Sequence, residues 1–158
     1  MTDSPSPSPH AERAAWLRTL ARAGAAELAE LAAPVLADYR FEWLRAPEQS
    51  LVMVRARIGN TGDRFNLGEA TVTRCTVRHL NADGRAFAGV GYVMGLDAQH
   101  AEHAAQLDAL LQVESLHALL MRSVVEPLAR RIAERERSER ERTEASRVRF
   151  YTLAPEAA

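Results

Sequence analysis

The chain contains no lysine: all 20 of its basic residues are arginine. That absence excludes a Walker-type phosphate loop and any Schiff-base mechanism, both of which need an ammonium group. Cysteine is nearly absent too. Cys75 is the single thiol, so no intrachain disulfide and no cysteine-built zinc or iron–sulfur site can form. No apolar run reaches membrane-spanning length. The opening "MTDSPSPSP" lacks the apolar stretch of a signal peptide and reads as a disordered Ser/Pro lead over residues 1–9. A cytoplasmic location is the resulting expectation, with no membrane and no nucleic-acid partner, since the net charge is only −1.

What is present suits one domain. The 158 residues are 47% hydrophobic, enough for a proper core. The expected domain spans residues 10–153, with a flexible tail at 154–158. Trp16, Leu17 and Leu20 recur at helical spacing, and Gly24 is a plausible stop. Leu28, Leu31 and Val35 mark a second short helix that Pro34 bends or ends. The period then changes to two. "YRFEWLR" (39–45), "LVMVRARI" (51–58), "EATVTRCTVRHL" (69–80) and "AFAGVGYVMG" (86–95) read as strands, with "NADGR" as a turn. Asp97 can cap a helix that carries His100 and His103. A long helical stretch follows to about Glu144, kinked or restarted at Pro127. "SRVRFYTL" (146–153) reads as a returning strand. The fold class is therefore α+β: a mostly antiparallel sheet of about five strands, N-terminal helices, and a two-helix segment before the last strand.

Charge is concentrated in the middle of the chain. Residues 55–85 hold six arginines (55, 57, 64, 74, 78, 85) against Asp63, Glu69 and Asp83. Between Ile58 and Glu69 the spacing predicts a connection of about ten residues, rich in Gly and Asn. Such a loop lets backbone N–H groups approach an anion, and guanidinium forks match phosphate oxygens. Arginine on the solvent side of a sheet is the ordinary alternative. His100 and His103 lack the spacing of a zinc protease, and no metal site is expected. Cys75, mid-strand, reads as a buried structural thiol. The run "ERERSERERTE" allows opposite-sign pairs such as Glu136 with Arg140 on a solvated helix.

From about Trp16 to Leu153 the sequence resembles the G subunit of the bacterial carbon–phosphorus lyase system. The blocks that carry the resemblance are "WLRTLARA", "EWLRAPEQSLVMVRARIGNTGDRFNLGEATVTRCTVR", "GVGYVMGLDAQHAEHAAQLDALLQ" and "SRVRFYTL". The resemblance implies a subunit of a complex that also contains H, I and J subunits, with I as the most direct partner. It implies that G, H and I together join methylphosphonate to the ribose of ATP, giving α-D-ribose 1-methylphosphonate 5-triphosphate and releasing adenine. Carbon–phosphorus cleavage on an iron–sulfur cluster falls to J, a division that a chain with Cys75 alone fits. ATP is then a substrate of the complex, and this chain needs no cofactor of its own. The family assigns this subunit no catalytic residue. The candidate phosphate or interface residues are Thr61, Gly62, Arg64, Asn66, Thr73, Arg74 and His100. The sequence departs from the family pattern at Leu96 and Ala98, where basic residues are common, and at Ser50 and Asn60, where glycine is common. Two other readings stand beside this one: a purely structural adaptor that stabilises the I subunit, and an independent small-molecule enzyme, for which no self-contained catalytic set is visible.

Overall fold

The computed structural model describes residues 9–59 and 61–147. Among them the order is α1 (Pro9–Arg22), α2 (Ala25–Leu36), β1 (Glu42–Arg57), β2 (Arg64–Leu80), β3 (Ala86–Met94), α3 (Ala98–Leu111), α4 (Glu114–Leu120), a π-helical segment (Met121–Val125) and α5 (Glu126–Ala145). The strands form an antiparallel sheet in the order β1-β2-β3. The α+β class holds, but the described sheet has three strands rather than about five. Part of the difference is a fusion. The two strands expected at 39–45 and 51–58 are one 16-residue strand that runs straight through Pro47. Pro47 lies on the strand at the edge of the sheet, where a missing N–H costs no ladder bond. Register shifts at Trp43/Arg45 and Arg45/Glu48 absorb the irregularity. The strand expected at 146–153 lies, apart from its first two residues, outside the described residues.

Helix α3 seats on the inner face of β2 and β3. Cys75, Val77 and Val93 meet Ala101, Ala105 and Ala109 there in one buried cluster. The approach is close because β3 offers glycine where the helix crosses. A Cβ on Gly91 would lie 1.8 Å from the Ala101 carbonyl oxygen, and one on Gly89 would lie 2.0 Å from that of Ala105. A second cluster joins Trp16, Leu20, Leu28, Leu107, Leu110, Leu120, Val124 and Leu128 from the helices. Each fully buried leucine here contributes about 1.5–3 kcal/mol relative to exposure.

Local chemistry sets the joints. Asp97 caps α3 by accepting from the His100 N–H at 2.8 Å. In the 81–85 turn, Asn81 Oδ1 accepts from the N–H groups of Asp83 and Arg85, and Gly84 takes φ 75°. Pro34 falls inside α2, which runs past it to Leu36. Pro127 stands in the first turn of α5, within helical backbone that runs on from α4 through the π-helical segment. Its ring displaces the carbonyl one turn earlier, and the π segment just ahead of it absorbs that displacement. Along α5, Glu136 pairs with Arg22 of α1 rather than with Arg140.

Candidate functional site

The two edges of the sheet are treated differently. On β3 the alternate residues Ala88 and Val90 turn their backbone groups away from β2, and side chains meet them. The Val90 N–H donates to Asp108 Oδ2 at 2.9 Å. Ala88 O accepts from Gln112 Nε2 at 2.8 Å and from Arg13 Nη2 at 3.2 Å. Asp108 is fully buried. It also accepts from Arg13, at 2.7 Å to Nη2, and from Trp16 Nε1 at 2.9 Å. One carboxylate thus ties α1, α3 and β3 together and stands in for part of a missing strand.

The other side of the sheet is open. β3 ends at Met94 opposite Val72. Beyond that point β1 from Leu51 and β2 back from Thr71 pair only with each other among the described strands. They form a two-stranded arm about 23 Å long at 3.3 Å per residue. Its large apolar side chains are uncovered: Leu51 is 62% exposed, Ile58 72% and Leu67 64%, with Met53 and Phe65 also exposed. A hairpin of two strands alone is marginal in water, and exposed apolar surface of this extent marks an interaction site.

The predicted site residues divide between the arm and the body. The connection at the tip is residues 58–63, not the ten-residue loop expected, because Arg64–Leu67 continue β2 and pair with β1. Thr61 and Gly62 lie in the turn. The Gly62 N–H donates to Ile58 O at 2.9 Å, and a Cβ there would stand 2.1 Å from that oxygen. Gly59 takes φ 60°. Arg64 and Asn66 are exposed strand residues, opposite Arg57 and Arg55 respectively. Thr73 is buried in the body, and its hydroxyl donates to Gly95 O at 2.7 Å. Arg74, on the outer face, is ion-paired to Glu48 at 2.6 Å, and Glu48 also holds Arg45 at 2.8 Å. The hydrogen bond from Arg74 is the main cause that keeps the Glu48 carboxyl below its ordinary pKa. His100 is buried, and its Nε2 donates to Leu20 O at 2.8 Å, tying α3 to the end of α1. Arg64 and Arg74 are thus about 33 Å apart along one strand and do not converge on one ligand. Arg55 and Arg57 do not line one surface with Arg74 and Arg78 either: Arg78 pairs with Glu42, far from the tip.

A cleft between α1 and α4, about 480 Å³, is lined in part by Arg13, Trp16, Gln112 and His117, which already bond Asp108, Ala88 O and Leu111 O. Cys75 is buried, and desolvation, with Glu102 adding to it, pushes its thiol up to about 11. No group of three or more His, Cys, Asp or Glu side chains gathers among the described residues as a metal site would require. No helix there is long and apolar enough to cross a membrane.

The arm was the feature that sequence reading missed. Its signal is that "LVMVRARI" opens with large apolar residues on both faces, Leu51 and Met53 on one and Val52 and Val54 on the other, whereas a half-buried strand keeps one face polar. Asp108, on the buried face of α3, is the other, a carboxylate in an apolar stripe.

Among the described residues the fold and this surface define an α+β scaffold whose exposed feature is a projecting apolar arm. Comparison with known proteins gives the family. The model of the family described as phosphonate metabolism protein PhnG matches residues 11–154, and the chain belongs to that family. It is 41% identical over 144 residues to the alpha-D-ribose 1-methylphosphonate 5-triphosphate synthase subunit PhnG of Rhizobium meliloti (strain 1021), an alignment covering 90% of this chain and 88% of the relative.

Proposed function

We propose that the chain is a non-autonomous subunit of an α-D-ribose 1-methylphosphonate 5-triphosphate synthase. It acts with the H and I subunits of the carbon–phosphorus lyase system, most directly with I, in a cytoplasmic assembly that also holds J. In the reaction a phosphonate oxygen bonds to ribose C1 of ATP, the N-glycosidic bond breaks, and adenine leaves with the bond pair and takes up a proton. ATP enters as a substrate of the complex, and this chain contributes no cofactor. The observation that carries the reading is the arm: a two-stranded extension with Leu51, Met53, Ile58, Phe65 and Leu67 uncovered is built to be covered by another polypeptide. Thr61, Gly62, Arg64 and Asn66 then belong to the interface, while Thr73, Arg74 and His100 hold the base from which the arm projects.

The test is reconstitution. The chain alone should release no adenine from ATP and methylphosphonate, and the H and I subunits should need it for full turnover. Full activity of those subunits without it, or of this chain alone, would sink the proposal. A second reading, a structural adaptor that touches no substrate, draws on the internal engagement of Arg74 and His100. Arg74→Ala separates the two: lost turnover in an intact assembly favours ligand contact, and unchanged turnover favours the adaptor.

A further inference from the structure

Many arginines on the body are matched: Arg45 and Arg74 hold Glu48, Arg78 holds Glu42, Arg131 holds Glu30 and Arg135 holds Glu27, while Arg18, Arg40 and Arg130 hold no carboxylate among the described residues. On the arm none is matched. Arg55, Arg57 and Arg64 are exposed and have no carboxylate partner among the described residues.

The ladder places these three side by side. Residues directly opposite in an antiparallel pair point to one side, and so do residues two apart on a strand. Arg57 is opposite Arg64, Arg55 is opposite Asn66, and Arg55 and Arg57 are two apart. All four therefore share one face. Continued toward the body, that face carries Met53 opposite Glu69 and Leu51 opposite Thr71, then Thr73 on β2, so it is the side on which α3 covers the sheet. The arm extends past the start of α3, and the cover ends there. Like charges directly opposite destabilise a strand pair. A bare ribbon with arginine across from arginine gains nothing from this arrangement in the free chain, whereas an acidic surface laid against its tip, beyond Glu69, would be attracted.

We propose that the α3-side face of the arm is a docking surface for a different subunit, one that presents an apolar recess to Leu51 and Met53 and a cluster of carboxylates to Arg55, Arg57 and Arg64. This rests on the reading of the chain as a subunit and deepens it by giving the partner's chemistry. A second copy set arm to arm is a poor occupant, because it would bring three arginines against three of the same sign with only Glu69 on that face to offset them. A strip of bases beside apolar side chains gives both steering and register to such a contact.

The test uses the full chain co-expressed with the H and I subunits, with association measured between 50 and roughly 300 mM salt, a range over which surface charge is progressively screened. The triple variant Arg55→Glu/Arg57→Glu/Arg64→Glu should bind at least about tenfold more weakly at low salt, and the salt dependence should flatten or reverse. The Arg→Lys triple variant should keep most of the affinity, and circular dichroism should show both variants folded. Unchanged affinity with an unchanged salt slope in the Glu variant would overturn the proposal. So would intact assembly accompanied by lost binding of inorganic triphosphate to the complex, which would assign the arginines to a small anion. A separate variant, Leu51→Ser/Met53→Ser, probes the subunit reading itself. If it and the charge variant both assemble normally, the arm is not an interface at all. If only the apolar variant fails to assemble, the arm docks but its partner is not acidic.

Discussion

The body of this protein and its arm are made from the same sheet, yet they solve opposite problems. In the body the middle of the β3 edge is met from within: Asp108 serves the Val90 N–H, and Arg13 and Gln112 serve the Ala88 carbonyl. Surface arginines there, Arg74 and Arg78 among them, often hold carboxylates of their own chain. In the arm the apolar side chains have no cover and the arginines no ion-pair partner among the described residues. The difference teaches where the chain is complete and where it is not. A region that satisfies itself needs no partner for stability; a region that leaves both apolar surface and charge unmatched is stable in that form only because the rest of the fold holds it.

The contrast can be broken first at Asp108. Asp108→Ala leaves Arg13, the Trp16 indole N–H and the Val90 N–H without their acceptor. It should cost about 3 kcal/mol or more, read as a fall in the urea midpoint. Gly91→Ala should come next, at about 2 kcal/mol, because the helix must retreat from a Cβ placed 1.8 Å from Ala101 O. Arm substitutions should behave differently. Leu67→Ser with Phe65→Ser should change the stability of the isolated chain by about 0.5 kcal/mol or less, while co-purification with the H and I subunits fails. If those variants instead unfold the free chain, the arm belongs to the core and the contrast collapses.

Two smaller effects concern protons. Cys75, with its thiol pushed up to about 11, should label slowly with iodoacetamide at about pH 8, where an ordinary thiol near 8.5 is partly ionised; denaturant should restore rapid labelling. Glu48 has a depressed carboxyl pKa, first because Arg74 donates to it. Its pairing is therefore fully present above the ordinary glutamate value of about 4.3 and is lost as pH falls through the depressed folded value. An NMR titration should show Glu48 protonating below that ordinary value, and Arg74→Ala should move its midpoint upward.

Much of the body was legible in the sequence because its signals are local. The period of Trp16 and Leu20, the Asp97 cap and the Asn81 turn each depend on residues within a few positions of one another. The candidate site was legible only in pieces. Arg64 and Arg74 look close when counted as ten positions, but a strand spreads ten positions over about 33 Å. His100 looks available on a polar helix start, yet its partner Leu20 O is 80 positions away. The connection at residues 58–63 looked longer because Gly and Asn suggest loop, whereas cross-strand pairing outvotes that local preference.

By itself, then, the sequence determined the α+β class, the positions of most helices and turns, and the exclusion of ammonium and thiolate-cluster chemistry. These follow from residue type and short-range spacing. Only the tertiary structure decided that β1 is one strand, that Asp108 closes one edge, and that three arginines stand together on an uncovered arm. Each of those depends on which distant residues lie opposite one another, and strand register is fixed by the packing of the whole sheet.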